Sequence, residues 1–181
     1  VALRILAAHL GKIQDVKVGI LTRPQSGLSD FYRELGDVFG VELKNSNRWG
    51  GYKTLMNGWV DHIRSTLFRP ILLIDEAQEM FSIVLNELRL LMSNNFDSEM
   101  ILTVVLCGDS RLPEKFREPT LIPLGSRIRV RLSQESATKE QLEQTLTESI
   151  AKAGNIKLMS KGLINMLVEH ATGNYRGMMI M

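Results

Sequence analysis

The stretch PILLID, Pro70–Asp75, sets the tightest limit on what this chain can fold into. Its aliphatic residues run together without polar alternation and stop on two carboxylates, Asp75 and Glu76. A strand with one face in water alternates, whereas a strand covered on both faces does not. Strands of the second kind belong to parallel sheets flanked by helices, and such sheets place their sites at the carboxyl ends of the strands. The chain is therefore expected to be α/β, with its chemistry where Asp75 and Glu76 emerge.

Neighbouring segments extend this reading. VKVGILT (16–22) is a β-branched run followed by Arg23-Pro24, a strand and its loop. ILTVVLCG (101–108) is a second fully apolar strand, and IRVRL (128–132) alternates, as a third strand nearer an edge would. Between them lie helical patterns. Residues 1–11 are apolar nearly all round, which predicts a buried helix ending at Gly11. Ser29 is the expected N-cap of a helix stopped by Gly40, and further helices are expected over 52–66 and 82–94.

After residue 134 the pattern is helical only. Thr138 and Gln141 form a T-x-x-Q capping box, Leu142, Leu146 and Ile150 recur every four residues, and Gly154 stops the helix. A second helix is expected from about 160 to Gly173 and a third from near Tyr175. The predicted organisation is an α/β core over 1–134 and a small all-helical domain over 135–181. Both ends of the chain read as cut, the first inside a helix and the last on apolar MMIM.

Composition narrows the class. With 181 residues, 44% hydrophobic and 23% charged, the chain is globular and long enough for one ordinary domain with an appendage. A net charge of +2 gives no general pull on nucleic acid, so any basic surface must be local. Cys107 is the single cysteine, which excludes an internal disulfide and fits a reducing, cytoplasmic compartment. Lying in an apolar strand, it is expected to be a buried, inert thiol. No run approaches the ~20 apolar residues that a membrane span requires. His9, His62 and His170 show no metal-ligand spacing, and Met178, Met179 and Met181 read as core of the helical domain.

The acids at the strand end carry the candidate chemistry. Asp75 is placed to hold Mg²⁺, usually through water, while Glu76 points elsewhere and could orient or deprotonate an attacking water. The plainer alternative is a pair of solvated acids facing the positive end of the next helix.

ILLIDEAQ resembles the Walker B motif of AAA+ ATPases, in the branch that includes general secretion pathway protein A and the transposition helper ATPases. That resemblance implies a P-loop NTPase-like sheet followed by a helical lid, with ATP and Mg²⁺ as ligands. CGDSRL (107–112) resembles the sensor 1 position, which falls to Asp109 or Ser110; the family commonly uses a neutral polar residue there, so an aspartate departs from the pattern. PLGSRIRVRL (123–132) resembles the arginine-finger segment, with Arg127 reaching a neighbouring subunit's γ-phosphate. Arg129 and Arg131 read as the solvated face of the same stretch. ATGNYRGMM (171–179) resembles the sensor 2 motif, matched by Gly173 and Arg176.

The phosphate loop of such proteins, G-x-x-x-x-G-K-[ST], has no match in this sequence. Gly11-Lys12 is followed by Ile13, and Gly50-Gly51 lacks the lysine and hydroxyl. In the resembled family a first strand and this loop come directly before a helix. The loop is accordingly expected to end immediately before Val1. NSNRWGGYK (45–53) mixes basic and aromatic residues, which makes Arg48, Trp49 and Lys53 candidate nucleic-acid contacts; the plainer reading is loop punctuation with the tryptophan folded onto the core.

The resemblance implies an ATP-hydrolysing protein that works as a homo-oligomer, with DNA and a transposase as partners of a transposition helper. Two alternatives stay open: a secretion-assembly ATPase, and a non-hydrolysing scaffold with a degenerate nucleotide site.

Overall fold

The apolar run is the middle strand of a three-stranded parallel sheet. In the computed structural model the strands are β1 (Val16–Leu21), β2 (Arg69–Ile74) and a third at Thr103–Leu106, in the order first–second–third. Val18 lies opposite Ile71 and Leu21 opposite Ile74 on one side, while Ile71 pairs with Thr103 and Ile74 with Leu106 on the other. All three strands run the same way, so their carboxyl ends share one rim. The residues described are 2–21, 24–40, 53, 54, 56–58, 60, 61, 64, 65, 69–94, 99–133, 135–155 and 157–181, the side chains of 93, 94 and 99 excepted.

Covering both faces explains the absence of alternation. Leu72, Leu73 and Ile74 are all fully buried although neighbours point to opposite faces. Leu72 and Ile74 join one core cluster with Phe31, Tyr32, Leu35 and Phe39 of helix α2 (Leu28–Phe39) and with Val84, Leu85, Leu88 and Leu91 of α3 (Ser82–Leu91). Inside that core the Tyr32 hydroxyl donates to the carboxylate of Glu87, which is itself buried. Gly19 lets α2 approach β1: a Cβ there would stand 2.5 Å from Val38 Cγ1 and 2.8 Å from Phe39 Cζ.

Several sequence expectations need correction. Helix α1 (Ala2–Leu10) forms but buries none of its residues; it lies beside β1, which is outermost among the described strands. Ser29 is inside the first turn of α2, whose N-cap is Gly27, while Gly40 ends that helix at φ 72° as expected. The strand at Thr103–Leu106 is covered less fully than its composition suggests, because it too is outermost among the described strands. IRVRL forms no strand: 128–133 are irregular, with Val130 73% and Leu132 94% exposed. Alternation alone does not make a strand, and no described strand pairs with this one. A short antiparallel pair, β3 (Ser93–Asn94) with β4 (Glu99–Met100), precedes the Thr103–Leu106 strand, β5. Of the helix expected over 52–66, the described residues 53, 54, 56–58, 60, 61, 64 and 65 are helical.

Two compact units make up the chain, Val1–Arg129 and Val130–Met181. Within the first, two short helices follow β5: α4 (Arg111–Lys115) and α5 (Ile122–Gly125). The second holds α6 (Lys139–Lys152), α7 (Lys161–Ala171) and α8 (Tyr175–Ile180) around a core of Leu142, Leu146, Ile150, Val168, Ala171 and Met178. The Thr138–Gln141 capping box is present with both hydrogen bonds. Met178 is buried, but Met179 and Met181 are exposed, so only one of the three methionines is core.

Candidate functional site

Two backbone segments meet where β2 and β5 end. The Cys107 N–H donates to Ile74 O (2.8 Å), and the Ala77 N–H donates back to Cys107 O (2.9 Å). The β2 strand therefore hands its last hydrogen bonds to the loop after β5, and Asp75 and Glu76 are presented between them. Asp75 is exposed, and its Oδ1 accepts the Glu76 N–H at 3.1 Å. Glu76 has φ 52° and ψ 39°, a left-handed conformation that costs a residue with a Cβ about 1 kcal/mol. Residues 77–79 then form a single 3₁₀ turn.

Gln78, in the middle of that turn, is buried and uses both ends of its amide. Its Nε2 donates to Glu76 Oε2 (2.5 Å), and its Oε1 accepts the Asp109 N–H (3.3 Å). From behind, Lys115 of α4 donates to the backbone oxygens of Gln78 (2.9 Å) and Met80 (2.5 Å). Arg111 lies on the solvent side. It pairs with Asp109 Oδ2 and with Glu79 Oε1, each at 2.8 Å, and Glu79 Oε2 accepts a longer bond from Gln25. The Arg111 guanidinium, and then its backbone N–H, hold the Asp109 carboxyl below its ordinary range.

Of the residues singled out from sequence, the structure brings Asp75, Glu76 and Asp109 to one rim. Asp109 is already neutralised by Arg111, which meets the objection to an aspartate at this position. Ser110 is exposed at the start of α4 and makes no side-chain capping bond. Arg127 is engaged at another place: its Nη1 donates to Arg89 O (3.4 Å) near the end of α3, where helix carbonyls favour a cation. Arg176 is exposed in the first turn of α8, in the second unit. Gly173, the other half of that motif, has φ 83°, and a Cβ on it would stand 2.7 Å from Ser136 Cβ. Arg48, Trp49 and His62 lie outside the described residues; Lys53 is exposed on a helical turn.

Cys107 is half-buried rather than buried, and it belongs to the site. Its thiol is pushed up by burial first, then by the Asp75 carboxylate as a neighbouring charge and hydrogen-bond acceptor, then by Glu76. Gln78, Arg111 and Lys115 had no role in the sequence reading. Their only sequence signals are the Gln two places after Glu76 and the D-x-R spacing of Asp109 and Arg111.

A cleft of about 920 Å³ opens beside Glu76, walled by Asp30, Glu34, Asp37, Glu76 and Glu79. Arg33 is the single cation among its described wall residues, and it is paired with Asp30 at 3.1 Å. Five carboxylates repel a polyphosphate, and Asp75, Asp109 and Ser110 do not line this cleft. A hard cation suits the rim between β2 and β5. Mg²⁺ is commonly held by one or two carboxylates and completed by water and phosphate oxygens, and no group of three metal-ligating side chains occurs among the described residues. Asp75 fits an ion of that kind and would not fit an all-protein cage.

A match to the family described as the AAA domain covers residues 2–116, from α1 through α4. The chain belongs to the AAA domain family. Over 120 residues, 65% of its length, it is 38% identical to general secretion pathway protein A of Aeromonas hydrophila, of which it spans 21%. Among solved structures, this AAA domain is similar to the Cdc6p protein of Pyrobaculum aerophilum, with a TM-score of 0.74 and 15% identity, covering 97% of this chain and 48% of that one. The ORC2 protein of Aeropyrum pernix, in its ADPNP–ADP complexes, gives a TM-score of 0.64 at 15% identity, with 97% and 48% covered. Those likenesses establish the fold, a P-loop NTPase-like parallel sheet with a helical region behind it. No described helix is long and apolar enough to cross a membrane.

Proposed function

We propose that this AAA domain binds ATP with Mg²⁺ and hydrolyses it, and that Glu76 is the general base. The observation that carries the proposal is the joint presentation of Asp75 and Glu76 where the central strand ends, beside the loop bearing Asp109. Asp75 would hold the ion, which when bound supplies positive charge to the phosphate oxygens. Glu76 takes a proton from water as the water oxygen bonds to the γ-phosphorus. The bond from that phosphorus to the β,γ-bridging oxygen breaks, and ADP leaves with the electron pair. A phosphate loop is a requirement of this reading.

The helical second unit acts in this proposal as a lid, with Arg176 linking lid position to nucleotide state. Arg127 would reach a neighbouring subunit's γ-phosphate in a homo-oligomer, exchanging its bond to Arg89 O for one to phosphate. The likeness to general secretion pathway protein A favours a secretion-assembly role over that of a transposition helper with DNA and a transposase. Turnover stimulated by DNA, and weakened by salt as counterions are released, would reverse that preference.

The test is Glu76→Gln in the full-length protein, followed by phosphate release and by fluorescent nucleotide binding. Turnover is expected to fall about 100-fold or more with nucleotide affinity kept, in line with the loss of a general base. Unchanged turnover refutes the role of Glu76. Binding without turnover in the unaltered protein supports the scaffold reading instead.

A further inference from the structure

We infer that Gln78 is a positioning residue for the hydrolytic step: it fixes the Glu76 carboxylate and ties its place to the loop Cys107–Asp109. The inference deepens the reading of Glu76 as general base and rests on it.

The orientation of the Gln78 amide is set by its partners. Its Oε1 faces the Asp109 N–H and its Nε2 faces Glu76 Oε2. Flipped, the amide would turn an NH₂ against an N–H and an oxygen against a carboxylate, two repulsive contacts in place of two hydrogen bonds. Gln78 as a whole is 7% exposed, so water competes poorly for either bond. Its backbone is also held, because the Lys115 ammonium binds Gln78 O at 2.9 Å. Glu76 itself has little else to steady it. It follows the strand in a left-handed conformation, is exposed, and extends into solvent past an Asp75 that accepts its N–H. The Nε2 bond is what directs its carboxylate.

Gly108 completes the device. A Cβ on Gly108 would collide with Gln78 Oε1 and stand 3.1 Å from Leu112 Cδ2. The loop backbone and the amide are thus in direct contact, and a shift of Asp109 must turn or release the amide that holds Glu76. Nucleotide contacts made by the Asp109 loop would in this way be felt at the base. A base misplaced by about 1 Å costs on the order of 100-fold in rate, so the expected effect falls on kcat.

Steady-state and single-turnover hydrolysis by the full-length protein would be compared for Gln78→Met, Gly108→Ala and Glu76→Gln, and for each of the first two combined with Glu76→Gln. Gln78→Met keeps the side chain's length and removes both hydrogen bonds; Gly108→Ala reaches the amide without touching position 78. Each is expected to lower kcat about 10- to 100-fold with KM within about twofold, and neither to lower the residual rate of Glu76→Gln further. Circular dichroism melts would confirm that at least one of the two variants is folded. A kcat within twofold of the unaltered protein in both variants, beside an inactive Glu76→Gln, overturns the assignment alone. An equal loss in the Glu76→Gln background also overturns it, since the effect then does not run through Glu76. Wild-type turnover in Glu76→Gln overturns the general-base reading and this assignment with it.

Discussion

Lys115→Met should loosen the rim without touching an acid. The ammonium donates to Gln78 O (2.9 Å) and Met80 O (2.5 Å), two carbonyls at the close of a 3₁₀ turn whose free oxygens favour a cation. A hydrogen bond with one charged partner nets about 1.5–3 kcal/mol. Both bonds here share one ammonium, whose desolvation is counted once, and the site is only part-buried, so the lower end applies to each. Methionine keeps most of the apolar stem and its packing. The expected loss is therefore about 2–3 kcal/mol, a factor of roughly 30 to 150 in the unfolding equilibrium. Urea unfolding followed by circular dichroism measures it, with the denaturant slope unchanged because the exposed surface hardly differs. A loss under about 0.5 kcal/mol at constant slope would refute the reasoning, and would mean that water satisfies those carbonyls as well as Lys115 does.

Two other outcomes follow from contacts described above. Gly19→Ala drives a methyl group to 2.5 Å from Val38 Cγ1, so α2 must shift off β1, at a cost of about 1–3 kcal/mol in the same unfolding measurement. Arg111→Met should raise the Asp109 carboxyl toward its ordinary 3.8, as read by carboxyl NMR titration. Folding lowers this pKa, so the pair's contribution is full above the unfolded value and fades as pH falls through the lowered one; the variant should flatten that acid limb. An Asp109 titration unmoved by the substitution would refute the cause assigned to its shift.

What could be read from sequence was local. Four apolar residues ahead of Asp75 specified a strand covered on both faces, since burial of Leu72, Leu73 and Ile74 acts on adjacent positions. The capping box at Thr138 and the stop at Gly40 are equally short-range and were legible for that reason. IRVRL was misread because a strand needs a partner, and partners are chosen far along the chain. The Asp75–Glu76 rim was visible as a motif, but its supports were not. Gln78 to Asp109 spans 31 residues and Lys115 to Gln78 spans 37, so nothing in the local pattern reveals them. Cys107 likewise read as plain strand filler until Asp75 was found beside it.

In the helical unit, Ala137 donates its N–H to Gly173 O at 3.0 Å, and Gly173 has no side chain to hold Ser136 away. The segment by which the chain enters the unit and the turn that begins its last helix are thereby clamped backbone to backbone. The link runs alongside the side-chain core, on which Ala137 and Tyr175 also pack, so the entry segment and the start of the last helix are joined both by backbone and by side chains, three residues short of Arg176.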